Sequence, residues 1–357
     1  MVWNYGGLNM FFGLRFCISA LRLWLVFAFS IFLVSCRTPS SADLALERFA
    51  YEQPQMGVPF RIVLYASNET QAAAAARAAF DRIAELNSIM SDYETDSELS
   101  ELSRSSEEGS PEVPLSADLW NVLSRAQELA RETAGAFDVT IGPCAALWRY
   151  ARRQKEFPEA QRLENARAKV GFENLILNEQ GRTARLTRFG MRLDLGAIAK
   201  GYAAEEALEI LRQRGITRAL VAASGDLALG DPPPAEEGWR IELIGYDNPD
   251  GPPSKGVLLS NCAVATSGDL YQRLELRGVR YSHILDPRTC VGLTNHALVT
   301  VVARDATTAD SLATAMTVLE PAAALDLAAR HRVAARIIRL ENERPVVYRN
   351  HRFENLW

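Results

Sequence analysis

The sequence predicts one α+β domain that follows a short N-terminal export segment. Strand-like and helix-like stretches alternate irregularly along the chain, which is typical of mixed α+β architecture. The composition, 48% hydrophobic and 23% charged over 357 residues, is that of a globular protein with ample length for a core. No break between Tyr51 and Trp357 has the composition of an interdomain linker, so we predict a single domain over residues 51–357.

The N-terminal export segment has a basic start and an apolar core. Arg15 and Arg22 precede the apolar run Leu23–Val34. A basic start followed by a run of this length is typical of a secretory signal, and the run is too short for a comfortable membrane span. An uncleaved anchor helix is the alternative interpretation.

The apolar run ends in "LVSC", residues 33–36, which resembles a bacterial lipobox. That resemblance implies cleavage before Cys36 and lipidation of its thiol and amine. We therefore predict a signal peptide over residues 1–35 and a lipidated cysteine with its tether over residues 36–50. The domain would then lie outside the cytoplasm, lipid-anchored to the periplasmic face of a bacterial membrane, with the inner membrane as the expected one.

Charge and cysteine content exclude several classes of protein. The net charge of -5 gives no reason to expect nucleic acid as a partner. Five cysteines are too few for a disulfide scaffold, and no cysteine and histidine cluster has zinc spacing. Cys144, Cys262 and Cys290 remain in the mature chain and cannot all pair within one molecule. We expect them to be buried as small hydrophobic residues.

Several elements of the domain can be read directly from residue patterns. "FRIVLYA" at residues 60–66 has strand character, and the alanine-rich segment 70–90 predicts a helix. A further helix begins after Ser116, a suitable N-cap, and ends just before Gly135. The segments "RALVAAS" and "ALVTVVA" predict buried strands.

Residues 192–211, "RLDLGAIAKGYAAEEALEIL", predict a strand, a turn at Gly196 and a helix with Lys200 at its start. A cation there is electrostatically misplaced unless an anion binds to it, because the helix dipole is positive at that end. A helix N-terminus with a lysine is a receptor for phosphate or a similar anion. The spacing is not that of a Walker A loop. The alternative is a surface ion pair between Lys200 and Glu205 or Glu206.

The segment "TTADSLATAMTVLE" predicts a helix with Thr308 as its N-cap. Asp310 and Thr314 are four residues apart and share one face of that helix. A carboxylate and a hydroxyl are hard oxygen ligands that suit Mg²⁺. The alternative is a solvent-facing aspartate in a first turn, where the helix dipole favours it.

The segment "GVRYSHILDPRTC" predicts a strand that carries a histidine. Strand alternation places Val279, Tyr281, His283 and Leu285 on one face, so we expect His283 to be buried with a shifted pKa. A core histidine with one backbone partner is the alternative interpretation.

Polar, glycine-containing turns recur at the ends of predicted elements. Asp138 follows the helix that ends at Gly135 and is expected at the start of a strand. The turns at residues 224–226 and 266–269 follow apolar runs. Turns of this kind let the phosphates of a ligand approach the backbone closely.

Together these segments resemble the ApbE family, the FAD:protein FMN transferases, over nearly all of the mature chain from Met56 to the helix after Asp310. The resemblance rests on seven motifs in the family's order: "MSDYETDSELSELS", "GAFDVTIGP", "LDLGAIAKGYA", "SGDLALG", "AVATSGDLYQR", "SHILDPRT" and "ADSLATAMTVL". It implies Mg²⁺-dependent transfer of the FMN part of FAD to a threonine or serine hydroxyl of a target protein, with release of AMP. The expected partners are exported flavoproteins, such as subunits of membrane redox complexes.

The resemblance also implies roles for individual residues. The family's flavin-binding positions match Met56, Tyr93, Ala136, Phe137, Asp138, Asp194, Lys200 and Ile284. Its metal ligands match the backbone oxygen of Ala197 and the side chains of Asp310 and Thr314, with Ala313 close by. His283 matches a residue proposed to be the general base.

The chain departs from the family pattern at two glycine positions, where it has Ser224 and Cys290. If the position of Cys290 needs a positive φ, the cysteine costs about 1 kcal/mol of strain. Two other functions use the same residues: a Mg²⁺-dependent FAD pyrophosphatase that passes FMN to water, and a membrane-tethered FAD-binding protein without turnover. Products released from FAD distinguish all three.

Overall fold

A computed structural model describes residues 46–243, 254–270, 272–342 and 344–356. The predicted signal peptide and Cys36 lie outside these residues. The strands, in chain order, are β1 (Glu47–Gln55), β2 (Val58–Ala66), β3 (Val113–Pro114), β4 (Leu175–Asn178), β5 (Thr183–Leu186), β6 (Ala219–Ala223), β7 (Asp226–Leu229), β8 (Trp239–Leu243), β9 (Ser254–Leu259), β10 (Cys262–Gly268), β11 (Arg273–Leu276), β12 (Val279–Ser282), β13 (Leu285–Asp286), β14 (Val291–Gly292), β15 (Leu298–Ala303), β16 (Ala334–Glu341) and β17 (Arg344–Arg349).

The helices, in chain order, are α1 (Glu69–Met90), α2 (Glu98–Ser105), α3 (Ala117–Glu132), α4 (Gly142–Gln154), α5 (Ala160–Arg167), α6 (Ala199–Gln213), α7 (Ala306–Val318), α8 (Pro321–Arg330) and α9 (His351–Glu354). A main sheet has the order β1-β2-β6-β7-β10-β15-β16-β17, and every neighbouring pair in it is antiparallel. This mixture of strands and helices confirms the predicted α+β class.

The main sheet separates two apolar clusters because successive side chains of a strand point to opposite faces. Ile62 and Leu64 of β2 pack into the larger cluster, which the helices α1, α6 and α7 also line. Val63 lies on the opposite face, with Trp239 of β8 and Phe353 of α9. The sheet therefore has a thick helical layer on one face and a smaller cover on the other.

The local signals for α1, α3 and the central strands are confirmed. Asn68 caps α1 by accepting a hydrogen bond from the backbone N–H of Gln71 at 2.9 Å. Ser116 caps α3 by accepting from the N–H of Leu119 at 3.2 Å. The strands predicted from "RALVAAS" and "ALVTVVA" are β6 and β15. Caps and apolar runs act over a few residues, so the sequence alone specifies them.

Four local expectations are wrong. The turn predicted at residues 266–269 is not one, because the chain stays extended through Gly268 and pairs with β15. Residues 192–194 form only a single bridge, between Arg192 and Ile141, because the Asp194 carboxylate turns the chain by accepting from the N–H of Gly196. Asp138 lies in a turn, where its carboxylate accepts from Thr140, and no strand begins there. The N-cap of α7 is Asp305, which accepts from the N–H of Thr308 at 2.8 Å and so starts the helix earlier than expected.

The expectation of unpaired buried cysteines is wrong for two of the three. Cys144, in the first turn of α4, and Cys290 are fully buried and form a disulfide bond. The indole N–H of Trp148 also donates to the backbone oxygen of Cys290, at 2.8 Å. Among the cysteines that the structure describes, Cys262 is free. The bond joins residues 146 positions apart, which sequence spacing cannot reveal.

Ser224 and Cys290 both have left-handed backbone conformations, with φ of 59° and 60°. The condition for strain at Cys290 is therefore met, and it holds for Ser224 as well, since a side chain disfavours positive φ. Ser224 and Gly225 form the two-residue turn between β6 and β7, in which Ala223 pairs with Asp226.

Candidate active site

The candidate site begins where α6 and α7 meet, because Gly201 lets the two helices approach. A Cβ atom on Gly201 would lie 2.2 Å from the backbone oxygen of Ala306 and 2.7 Å from the Cβ of Asp310. The N–H of Gly201 instead donates to Oδ2 of Asp310 at 3.0 Å. Asp310 is only 1% exposed, so the solvent-facing alternative for this carboxylate is wrong.

Lys200 lies beside two buried carboxylates. Its Nζ is 3.0 Å from Oδ2 of Asp226, at the start of β7, and 3.4 Å from Oδ2 of Asp310. Nζ also donates to the backbone oxygen of Gly196 at 3.1 Å. The alternative pairing of Lys200 on the helix surface is wrong, because Glu205 accepts from Thr307 and Glu206 from Arg82.

The charges of this cluster do not balance. One ammonium faces two buried carboxylates, which leaves one net negative charge when both are ionised. Burial, and then the Asp310 charge, raise the pKa of Asp226 to about 7, although Lys200 opposes the shift. Burial alone would lower the pKa of Lys200, but Asp226 and Asp310 raise it above the ordinary value. Lys200 is therefore a cation throughout the neutral range.

The donor set near Asp310 fits a hard divalent cation. Thr314 lies one helical turn after Asp310, and its Oγ1 is 3.0 Å from Oγ of Ser267 in β10. Ala313 is buried beside it, and Ala197 lies in the turn before α6. In the described ranges, no cluster of three or more histidine, cysteine, aspartate or glutamate side chains could hold a metal.

A metal at this place would therefore need hydroxyl and backbone oxygens besides the carboxylate of Asp310. These are oxygen donors of the kind that Mg²⁺ prefers. A bound cation would also offset the net negative charge of the cluster formed by Lys200, Asp226 and Asp310.

Arg149 of α4 organises a second group of predicted residues. Its guanidinium donates to the carboxylates of Asp92 and Asp194 and lies 4.4 Å from the centre of the Tyr93 ring. Asp194 therefore has its side chain fixed by Arg149 on one oxygen and by the N–H of Gly196 on the other. Tyr93 itself is 73% exposed, so its ring is available to a ligand.

The remaining flavin-position residues divide between three environments. Ala136 and Ile284 are buried and meet in one small apolar cluster with Val318. Phe137 belongs to the main core. Met56, in the turn between β1 and β2, has a φ of 48° and packs at the edge of that core.

Asp138 is the buried acid of this set. Its Oδ1 accepts from the N–H of Thr140 at 2.8 Å and from its hydroxyl at 2.7 Å. Burial raises the pKa of Asp138 to about 6, although the hydrogen bonds from Thr140 oppose the shift. The Thr140 hydroxyl in turn accepts from the N–H of Gly171, so Asp138 holds two loops together.

His283 is exposed, contrary to the buried position that strand alternation predicts. The strand breaks after Ser282, and the next strand, β13, begins at Leu285, so the alternation does not continue through the histidine. Nδ1 of His283 is 3.0 Å from the backbone oxygen of Gln272. A carbonyl oxygen only accepts, so Nδ1 carries the hydrogen in the neutral ring and Nε2 holds the lone pair.

The pKa of His283 is lowered to about 4. Partial burial by the surrounding protein is the largest cause, since burial disfavours the charged form even though the side chain reaches the surface. The positive charges of Arg152 and Lys200 act in the same direction, while the hydrogen bond to Gln272 opposes them. The imidazole is therefore neutral at pH 7 and able to accept a proton.

The structure brings Lys200 to Asp310, and Ala136 to Ile284, from distant parts of the sequence. Asp226 and Arg149 were not among the predicted site residues. Asp226 could have been found, because it ends the polar "SGD" turn after an apolar strand. Arg149 carried no such signal, since it is one of several arginines near the end of α4.

Fold and site together define an α+β protein with a lysine between two buried carboxylates and an exposed histidine of lowered pKa. The ApbE family model matches residues 56–337 of this chain. The chain therefore belongs to the ApbE family. This agrees with the family predicted from the seven sequence motifs.

Curated relatives and solved structures agree with this assignment. The FAD:protein FMN transferase of Haemophilus influenzae is 31% identical over 265 residues, which cover 72% of this chain and 76% of the relative. The Vibrio cholerae protein of the same name is 31% identical over 304 residues, 84% of this chain and 88% of the relative. The solved flavin transferase ApbE from Vibrio cholerae superposes with a TM-score of 0.76 at 27% identity, covering 87% of this chain and all of that one.

Proposed function

We propose that this protein transfers the FMN part of FAD to a threonine or serine hydroxyl of an exported acceptor protein. The observation that carries this proposal is the convergence of Lys200 with two buried carboxylates at the N-terminus of α6. With a divalent cation beside Asp310 to offset the net negative charge of this cluster, the lysine and the helix N-terminus would attract the negative charge of a pyrophosphate. The names of the relatives support the same reaction.

The reaction requires a nucleophile, a base and stabilisation of phosphate charge. The acceptor hydroxyl oxygen attacks the phosphorus on the FMN side of the pyrophosphate. A phosphoester bond forms, the bond from that phosphorus to the bridging oxygen breaks, and AMP leaves with the electron pair. Nε2 of neutral His283 takes the hydroxyl proton. Lys200 stabilises the charge that develops on the phosphate oxygens.

Mg²⁺ is part of this proposal. The side chains of Asp310 and Thr314 and the backbone oxygen of Ala197 would hold it, with Ala313 packed alongside. When bound, the ion neutralises phosphate charge as a Lewis acid. AMP release that survives a chelator, in protein freed of metal, would contradict the metal requirement. Recovery on addition of Mg²⁺ is the expected result.

The experiment that tests transfer uses the full-length protein, FAD, Mg²⁺ and a candidate exported flavoprotein. Mass spectrometry of the acceptor should find one added FMN on a threonine or serine, with one AMP released for each. Free FMN and AMP at the same rate with and without acceptor would indicate a pyrophosphatase. FAD binding without any AMP would indicate a carrier.

The location of the protein is a further part of the proposal. In the described part of the chain, no helix is long and apolar enough to cross a bilayer. A lipid on Cys36 would hold the domain at the periplasmic face, where exported acceptors are available. Cys36→Ala should release the domain from the membrane fraction; the same membrane content in this variant and in the unaltered protein would contradict lipid anchoring.

A further inference from the structure

The C-terminal end of α4 carries a positively charged surface in which two arginines, Arg152 and Arg153, have no role in the proposed reaction. Arg149, Arg152 and Arg153 are spaced three and four residues apart and lie on one face of the helix. With Tyr93 they line a pocket of about 330 Å³. We call this pocket and its rim the arginine surface.

Only part of the charge on the arginine surface is balanced. Arg149 is paired with Asp92 and Asp194. Within the described residues, Arg152 and Arg153 form no ion pair, and Arg152 makes one long contact, 3.5 Å from Nη1 to Oε1 of Gln272.

Arg152 is half-buried, and its burial together with the neighbouring arginines lowers its pKa. A half-buried positive charge without a counter-ion favours a bound anion, because removing it from water is costly unless it is paired. Arg153 is exposed and adds a second positive charge beside it.

The arginine surface adjoins the candidate base. Gln272 connects them, since its side-chain oxygen contacts Arg152 and its backbone oxygen accepts from Nδ1 of His283. An acceptor hydroxyl must come to the other ring nitrogen, Nε2, to lose its proton. Because Arg152 and His283 both contact Gln272, a chain that presents its hydroxyl to His283 lies near Arg152.

Exposed aromatic residues lie around the same helix end. Tyr93, Tyr150 and Phe157 are 73%, 44% and 46% exposed, and Phe157 packs on Trp148 and Tyr281. Arginine together with tyrosine and phenylalanine is the composition enriched in protein interfaces. A surface meant only for water or for a free ion does not require these rings.

We propose that the arginine surface binds an acidic segment of the acceptor protein next to the hydroxyl that receives FMN. The proposal rests on the proposed function and deepens it, because it names the chemistry of the acceptor. Acidic side chains of the acceptor pair with Arg152 and Arg153, while the rings of Tyr150 and Phe157 contact its apolar atoms. The pyrophosphate of FAD is bound elsewhere, at Lys200. An anionic membrane surface is the other macromolecule that such a charge could bind, but it would not need to reach His283.

The test compares two labelled peptides on the full-length protein in detergent, with FAD and Mg²⁺ present. Each has a central threonine; one is flanked by Asp and Glu, the other by Asn and Gln. We expect the acidic peptide to bind about tenfold more tightly, and Arg152→Gln/Arg153→Gln to remove that preference. The control variant is Arg212→Gln/Arg214→Gln, at the exposed end of α6. It changes the net charge by the same amount and should keep the preference for the acidic peptide.

Several outcomes would overturn the proposal. One is that the two peptides bind equally, or that neither binds. Another is that the control variant loses the preference for the acidic peptide. The third is that the double variant loses affinity for phosphatidylglycerol vesicles by the same factor as for the acidic peptide. FAD affinity is measured on the same samples and should not change in the double variant. A large loss of FAD affinity there would assign the arginines to FAD instead. Absence of AMP from the unaltered protein would reject the proposed function without affecting the peptide result.

Discussion

The cluster at Lys200 and the surface around His283 are built in opposite ways. Asp226 and Asp310 are 4% and 1% exposed, and every charge there faces an opposite charge. His283 is exposed in a break between two short strands, and Arg152 beside it has no carboxylate partner among the described residues. The part assigned to the dinucleotide belongs to the core. The part assigned to the acceptor lies on the surface, where a protein can reach it.

Asp310→Asn should have the largest effect, because it removes a buried charge next to Lys200 while its amide oxygen can still accept from Gly201. We expect a loss of about 10³-fold in the rate of FMN transfer, the size seen when a charge-stabilising group is removed. Gel fluorescence of the flavinylated acceptor measures the rate.

The matched control is Asp305→Asn on the same helix. It should lower stability slightly through the N-cap of α7 and leave transfer near normal. Transfer at the normal rate by Asp310→Asn would mean that the buried cluster is structural.

His283→Gln should lower transfer about 10²-fold while FAD affinity stays the same, because the base contributes only to proton removal. Isothermal titration with FAD and the transfer assay separate the two effects. Weakened FAD binding with normal transfer at saturating FAD would assign His283 to binding rather than to proton transfer.

The pH dependence sharpens the same assignment. Since the folded protein lowers the pKa of His283 to about 4 from an ordinary 6.5, the base form persists at pH 5 to 6 and is lost only near pH 4. Between pH 4 and pH 6.5 the histidine binds more protons in the unfolded chain than in the folded protein. This group therefore makes folding less favourable as the pH falls. The transfer rate of the unaltered protein should therefore stay high at pH 6.5. If it has already fallen by half there, and that of His283→Gln has not, then the surroundings of the ring do not lower its pKa as described.

The disulfide lies within the second of these two parts, since it joins α4, which carries Arg152, to the turn after His283. Cys144→Ala should lower the free energy of unfolding by about 2–4 kcal/mol, the usual effect of removing a disulfide. Cys290→Gly should cost about 1 kcal/mol less, because glycine relieves the positive φ at this position. Denaturant unfolding measures both.

Cys262→Ala is the control for the disulfide, because Cys262 is free. This substitution should leave the response of the protein to reductant unchanged. Equal losses in Cys144→Ala and Cys290→Gly would mean that the backbone at residue 290 is unstrained.

Gly201→Ala should have the smallest effect of the series, about 1–3 kcal/mol of stability, the range for overpacking in a core. Its methyl group would meet the backbone oxygen of Ala306, so α6 and α7 must separate. Gly181→Ala, in an exposed turn where the nearest atom is 3.3 Å away, is the control and should be nearly neutral. Unchanged melting temperature and transfer in Gly201→Ala would show that this contact is not needed.

Residue patterns were sufficient for the elements with local signals. Ser116 and the apolar residues after it specify α3, and the apolar runs specify β6 and β15. The family also followed from sequence, because seven motifs in order are far more specific than any one of them. Expectations failed where a side chain was drawn to a distant or competing partner, as with the cap of α7 and the turn at Asp194.

By itself the sequence determined the class of fold, the family and the residue types of the site. The tertiary structure alone decided which charges meet: Lys200 and Asp310 are 110 positions apart, yet their side chains are in contact. It also decided that Cys144 pairs with Cys290 and that His283 is exposed. The reason is physical. Caps and periodicity act within a few residues of chain, whereas pairing, burial and the resulting pKa values depend on helices and strands packed together from distant segments.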